Sequence, residues 1–384
     1  RVSGVSPFVA FRPFLAWDSF AAANGMTEFA RNALVGELDG QIAAHGPGGF
    51  RITPFERSDR LSDALGFTPE GGVWVKDETG QVGGSHKSRH LFTILLHLRA
   101  AETLGLAPWT RPEDRPPLAI ASCGNAAIAA ATLADAVGWP IRVFVPTSAD
   151  DVVVAMLTAR RAEVISCPRV GGDPAGDPCV HRFREAVARG AVPFSVQGTE
   201  NVWCLDGGRT IGWEMARQFV EEGDGAALDR VFVQVGGGAL AACAAGGLED
   251  GGEPARLHAV QTESSAPLVR AWERATAPDQ VSPARRWDDL MWPWEQVEPS
   301  AADGILDDET YDWIPDIEAM ARTGGRPLVV NERQVMVAHE LVRTTTGIDA
   351  SPTGTAGVAG LLALREAIAA DERVAVILSG VARR

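Results

Sequence analysis

From Val73 onward, short apolar runs alternate with longer stretches whose apolar residues recur every three or four positions. The runs at 73–76, 118–122, 141–145, 163–166, 193–196, 230–235, 257–261 and 374–378 have strand length and strand composition. Helical spacing fills 86–104, 125–137, 150–160, 180–189, 207–221, 239–247, 332–346 and 355–369. Apolar strands separated by helices predict an α/β fold in which mainly parallel sheets are covered by helices on both faces. Before this pattern, residues 1–50 read as a helical lead-in with no evident chemistry, and 51–55 as a loop into a short helix. The Pro- and Gly-rich stretches 106–117 and 168–178 read as surface loops. Residues 276–316 hold Trp287, Trp292, Trp294 and Trp313 and read as a long excursion with its own small apolar cluster, a lid or a subunit contact.

At 384 residues the chain is long enough for two lobes. A net charge of −15 disfavours nucleic acid and anionic membrane as partners but leaves room for an anionic substrate in a local positive pocket. No run of about 18 apolar residues occurs, so no membrane span is expected. The five cysteines form no zinc-like spacing; no metal site is expected, and reduced thiols in a cytoplasmic enzyme are the simplest reading. Arg1-Val2-Ser3-Gly4 shows neither a signal pattern nor an initiator Met, which suggests numbering from inside a longer chain.

Four stretches carry candidate chemistry. Gly84-Ser85-His86-Lys87 opens a helical segment, placing an amine where it could form an imine; the same pattern also suits an ordinary loop and cap. Ser122-Cys123-Gly124-Asn125-Ala126 joins a strand to an Ala-rich helix, a junction that suits a carboxylate, with Asn125 either capping the helix or bonding a ligand oxygen. Gly236-Gly237-Gly238-Ala239-Leu240 is a strand-to-helix turn able to hold one phosphate. It is neither a Walker loop nor a dinucleotide fingerprint, since Ala241 stands where the third spaced Gly would fall. Ser379 ends the last apolar run as a turn residue or a partner for a ring nitrogen.

Together with Thr53-Pro54-Phe55 and Gly208-Arg209-Thr210 leading to Glu214, these stretches make residues from about 50 to 384 resemble the fold type II pyridoxal phosphate (PLP) enzymes. That family includes threonine synthase, serine/threonine dehydratases, serine racemase, cysteine synthase and the tryptophan synthase β chain. The resemblance implies a large PLP-binding domain of 1–84 and 196–384, with a small domain, 85–195, inserted. It implies that Lys87 holds PLP as an imine and acts as the base at the substrate Cα. His86 could contact the phosphate or tune the lysine, or simply pack. Gly236, Gly237, Gly238, Ala239 and Leu240 would cradle the phosphate, Asn125 would bond the ring oxygen, and Ser379 would face the pyridine nitrogen. Ser85, Ser122, Cys123, Gly124 and Ala126 would receive the substrate. A homodimer is a family-level expectation.

A hydroxyl at the ring nitrogen favours loss of a β-substituent over a long-lived carbanion. The resulting reading is a lyase of the ammonia-lyase or dehydratase type acting on a small amino acid with a β-hydroxyl or other β-leaving group. Departures keep alternatives open. Ile120 stands where the tryptophan synthase β chain has its catalytic Glu, and Ser351-Pro352-Thr353-Gly354-Thr355 lacks the Glu of dehydratases. Helix capping accounts for Thr353 and Thr355 as well as substrate contact does. Cys123 stands where racemising relatives carry Ser, as a buried inert thiol or an opposite-face acid, while Gln261 replaces the Glu of metal-activated relatives. β/γ-Replacement, racemisation, an inactive PLP-fold binding protein and a nucleotide-binding protein are the competing readings.

Overall fold

The computed structural model describes residues 5–46, 48–222, 225–275 and 283–383. Arg1–Gly4 and residues 276–282 of the expected excursion lie outside the described residues. In chain order the strands are β1 (Phe55–Arg57), β2 (Gly72–Asp77), β3 (Leu118–Ala121), β4 (Ile141–Val145) and β5 (Glu163–Ser166). They continue as β6 (Val192–Pro193), β7 (Arg230–Gln234), β8 (Arg256–Thr262), β9 (Leu328–Val330) and β10 (Arg373–Leu378). The chain forms two compact units, one of Arg1–Ile52 with Gln81–Thr210 and the other of Thr53–Gly80 with Ile211–Arg384.

The first unit holds a four-stranded parallel sheet in the order β5-β4-β3-β6. Its helix Lys87–Thr103 buries Leu91, Ile94, Leu95 and Leu98 as the spacing predicts, but its other face is buried too, through Ser88, Arg89, His90, Thr93 and His97. Residues 203–210 cover that face, where Thr93 Oγ1 donates to Trp203 O at 2.7 Å and Arg89 donates to Thr210 Oγ1 at 3.0 Å, and the lead-in packs on the helix as well, so the division of the chain differs from the expected one. Phe8 and Phe50 meet Phe92 of this helix at ring-centroid distances of 4.6 and 4.5 Å, and Ala16 N donates to Asp206 at 2.6 Å. The described part of the lead-in therefore lies in the same compact unit as this helix, the one expected to be the small insert. Sequence spacing shows that an apolar face exists, not which partner covers it, and burying a residue such as Phe8 contributes about 1.5–3 kcal/mol wherever the partner lies.

The second unit holds a six-stranded sheet, β1-β2-β10-β7-β8-β9, parallel throughout except for the β1–β2 pair. Along β10, Val374, Val376 and Leu378 enter one apolar core while Ala375 and Ile377 enter the other, so both faces of the sheet are covered. The edge strands β1 and β9 went unpredicted because three residues, two of them charged in β1, give no readable alternation. The excursion is not a separate cluster: Leu290, Met291 and Trp313 are part of the core beside β7 and β8. The later helix runs Pro352–Leu364, starting ahead of the expected 355, because Ser351 is its cap, accepting from Gly354 N at 3.0 Å. Thr353 and Thr355 are thus not the capping residues. Thr353 Oγ1 accepts from Gly304 N at 3.0 Å and donates to Asp303 at 3.1 Å, tying this helix to the excursion.

Candidate active site

In the first unit, Gly83 and Gly84 sit at φ of 70° and 74°, a tight left-handed turn that side chains resist, and it delivers the chain to Lys87 at the first position of its helix. Ser85 is fully buried and its Oγ has no hydrogen-bond partner among the described residues. His86 occupies the cap position without a side-chain capping bond. His90, one turn on from Lys87, is also buried, with Nδ1 3.1 Å from Cys204 O. Burial, and then the neighbouring Lys87 charge, push the His90 imidazole down to about 3, so it is neutral at physiological pH. Sequence reasoning missed His90; its signal was a third polar side chain following His86 and Lys87 at helical spacing.

The second stretch packs against this turn: a Cβ placed on Gly83 would stand 3.5 Å from Ala129 Cα. Gly124, not Asn125, takes the cap position of the helix Asn125–Ala136, and no side chain caps it. The capping role is therefore removed for Asn125. Ser122 Oγ instead accepts from Gly124 N at 3.4 Å, and Gly124 faces open space. Cys123 is exposed, which overturns its reading as a buried inert thiol. Ser122, Cys123, Gly124, Asn125 and Ala126 thus line the positive end of a helix of the same unit as Lys87.

The second unit carries the other candidates. Among the described residues, no group accepts from the backbone N–H of Gly236, Gly237, Gly238, Ala239 or Leu240, so five donors stand together at the start of the helix Ala239–Asp250. Two of the glycines have a packing reason as well. A Cβ on Gly236 would strike Asp307 and the Ile305 backbone, and one on Gly238 (φ 98°) would stand 2.7 Å from Asp316 Oδ2. Just past the end of the neighbouring strand β10, Ser379 is buried and its Oγ accepts from Gln234 Nε2 at 2.6 Å. The orientation of the Gln234 amide is set by two carbonyls facing the same nitrogen, Gly354 O at 3.2 Å and Ile377 O at 3.1 Å. Gln234 is a further residue the sequence reading passed over, hidden as one polar position inside an apolar run. Gln261 is fully engaged, accepting from Leu268 N and Val269 N and donating to Val235 O and Thr310 Oγ1.

The chain has only two lysines, Lys76 and Lys87. Lys76 Nζ lies 2.5 Å from Glu214, donates also to Thr53 O and Gln218 Oε1, and both members of the ion pair are wholly buried. An amine so held is structural, which leaves Lys87 as the one lysine that can react with a carbonyl. This elimination was legible in the sequence as a count.

A free electrophile, a single phosphate and a ring nitrogen are what these groups could hold. Within the second unit the five N–H donors suit a phosphate and the Ser379 hydroxyl a ring nitrogen, and within the first Lys87 suits an aldehyde, so each unit carries groups of the kind that pyridoxal phosphate needs. The chain is 26% identical over 344 residues to the threonine synthase of Methanosarcina acetivorans, covering 85% of this chain and 74% of that one. It is 26% identical over 336 residues to the phenylserine dehydratase of Ralstonia pickettii, covering 86% and 89% respectively. Its fold matches that of diaminopropionate ammonia lyase from Escherichia coli with a TM-score of 0.69 at 18% identity, over 90% of this chain and 88% of that one. The profile of the family described as "Pyridoxal-phosphate dependent enzyme" matches residues 47–380, and the chain belongs to that family.

Proposed function

We propose that the protein is a lyase that eliminates the β-substituent of a small amino acid, with release of ammonia. Pyridoxal phosphate, when bound, supplies the electron sink that lets the bond from Cα to hydrogen break. Lys87 anchors it, and once freed by the incoming substrate amine, Lys87 Nζ takes the proton from the substrate Cα and passes it to the departing β-group, which leaves as a neutral molecule such as water. The N–H groups of residues 236–240 hold the phosphate, while Asn125 bonds the ring oxygen. Ser122, Cys123, Gly124 and Ala126 bind the substrate carboxylate at the positive end of their helix, with Ser85 beside them. His86 and His90 flank Lys87, and His90, being neutral, adds no second positive charge there.

The observation that carries the choice of elimination is Ser379. Its hydroxyl accepts from Gln234 and so presents a neutral group, not a carboxylate, to the ring nitrogen. A ring left unprotonated is a weaker sink, which favours prompt departure of a β-group over lasting charge at Cα. The likeness to phenylserine dehydratase over most of both chains supports the same reading. The likeness to threonine synthase favours a second one, replacement of a β- or γ-group by a nucleophile.

The test is a panel of β-substituted amino acids followed for 2-oxo acid and ammonia. Ammonia from a β-hydroxy or β-amino acid is expected. Product that forms only when a thiol or other nucleophile is added would overturn elimination in favour of replacement. The anchoring role is tested separately: the borohydride-sensitive absorbance of the bound cofactor is expected to vanish in Lys87→Ala.

A further inference from the structure

Beside the triple-glycine turn lies a carboxyl group that the proposed reaction does not use. Asp316, on the helix Trp313–Thr323, is 0% exposed, and its Oδ2 stands 2.7 Å from where a Cβ on Gly238 would be. Neither of its oxygens has a partner of normal hydrogen-bond geometry among the described residues. The groups around it are the wrong ones for a carboxylate. Asp312, at the start of the same helix, is a second acid close enough to disfavour ionisation. Thr310 turns its methyl toward Gly238, and its hydroxyl oxygen accepts from Gln261 Nε2. Asp307 lies across the turn against Gly236. The helix Ala239–Asp250 offers only the Ala242 N–H, which is already bonded to Gly238 O. Burial outweighs that one favourable dipole and raises the carboxyl well above the usual range.

An anion held by the N–H groups of 236–240 would lie within a few ångströms of this carboxyl, in a dry environment where like charges repel strongly. We propose that the glycine turn takes up its phosphate together with a proton held on Asp316. The neutral acid, buried against Gly238, leaves the anion site without a nearby negative charge; the ionised acid would repel the anion. This rests on the reading that the turn holds the cofactor's phosphate, and it adds a regulator, since cofactor retention becomes sensitive to alkaline pH through a residue remote from Lys87 in sequence.

The experiment uses 4′-deoxypyridoxine 5′-phosphate, which carries the ring and phosphate but no aldehyde, so Lys87 chemistry does not enter. Its affinity for the apo protein is measured by calorimetry from pH 7 upward in buffers of different ionisation enthalpy, for the wild type and Asp316→Asn. The expected result is net proton uptake by the wild type relative to the variant. Above the pKa of Asp316 in the free protein, the wild type should lose affinity about tenfold per pH unit more than the variant. A difference infrared spectrum of the loaded wild type minus loaded Asp316→Asn should show a protonated carboxyl band. Absence of that band, or equal proton uptake by both proteins, would overturn the proposal. Failure of the deoxy ligand to bind either protein at any pH would overturn the phosphate assignment itself.

Discussion

Replacing Lys76 by Met tests the claim that one lysine is structural and the other chemical. The Lys76–Glu214 pair is wholly buried at 2.5 Å. Without the ammonium, Glu214 loses its cationic partner while still accepting from Thr53 N at 3.0 Å and Thr53 Oγ1 at 3.2 Å, and Gln218 Oε1 loses a donor. Removing one partner of a buried pair costs about 3–5 kcal/mol, a large share of a total stability of about 5–15 kcal/mol. Urea unfolding followed by tryptophan fluorescence and far-ultraviolet circular dichroism measures the loss. The double variant Lys76→Met with Glu214→Leu should recover most of it, because a packed apolar pair can replace a buried ion pair; a deficit of about 1–3 kcal/mol would persist because Thr53 N loses Glu214 as acceptor. Either variant, if folded, should keep the borohydride-sensitive absorbance. A Lys76→Met protein within about 1 kcal/mol of the wild type would refute the energetic argument. A folded one lacking that absorbance would refute the assignment of Lys87.

Acid should destabilise the protein through three buried histidines, His90 held at about 3 and His97 and His258 at about 4. Each is neutral when folded but protonates near 6.5 when unfolded, so their contribution is complete above pH 6.5 and is lost as pH falls toward 4. The slope approaches about 4 kcal/mol per pH unit, about 1.4 from each. Urea midpoints measured from pH 7.5 to 4.5 check this, and a flat profile would count against it. Gly238→Ala should cost about 1–3 kcal/mol, from the φ of 98° and the approach to Asp316, and should weaken binding of deoxypyridoxine phosphate, read by calorimetry. Gln234→Leu should cost about 1–3 kcal/mol by removing the buried amide that donates to Ile377 O, Gly354 O and Ser379 Oγ, and should change the protonation of the ring nitrogen seen by nitrogen NMR of labelled cofactor; an unchanged signal would dissociate Gln234 from Ser379.

Much of the fold was legible because its strands are apolar on both sides. Val374 to Leu378 reads as a strand from composition alone, and the sheet uses both of its faces. Partners separated far in sequence were not legible. Nothing in Phe8 announces Phe92, and so the lead-in was assigned to the wrong unit. The site motifs lie at the strand and helix ends where they were expected, since glycines and hydroxyls at such junctions leave a signal that pattern alone carries. What could not be read was side-chain occupancy: that Gly124 displaces Asn125 from the cap, that Cys123 is exposed, and that Asp307 and Asp316 crowd the glycine turn. Such facts depend on packing between segments that share no local pattern.

The strand order β1-β2-β10-β7-β8-β9 also bears on how the second unit is made. Its middle strand β10 is the last of the described strands to leave the ribosome, yet it must slide between β2 and β7, made long before. Until Arg373–Leu378 emerges, β2 and β7 each present a bare edge that invites pairing with other nascent chains. Losing that strand would split the sheet through its centre and remove Ser379 with it, so the unit can close only once synthesis has passed Leu378.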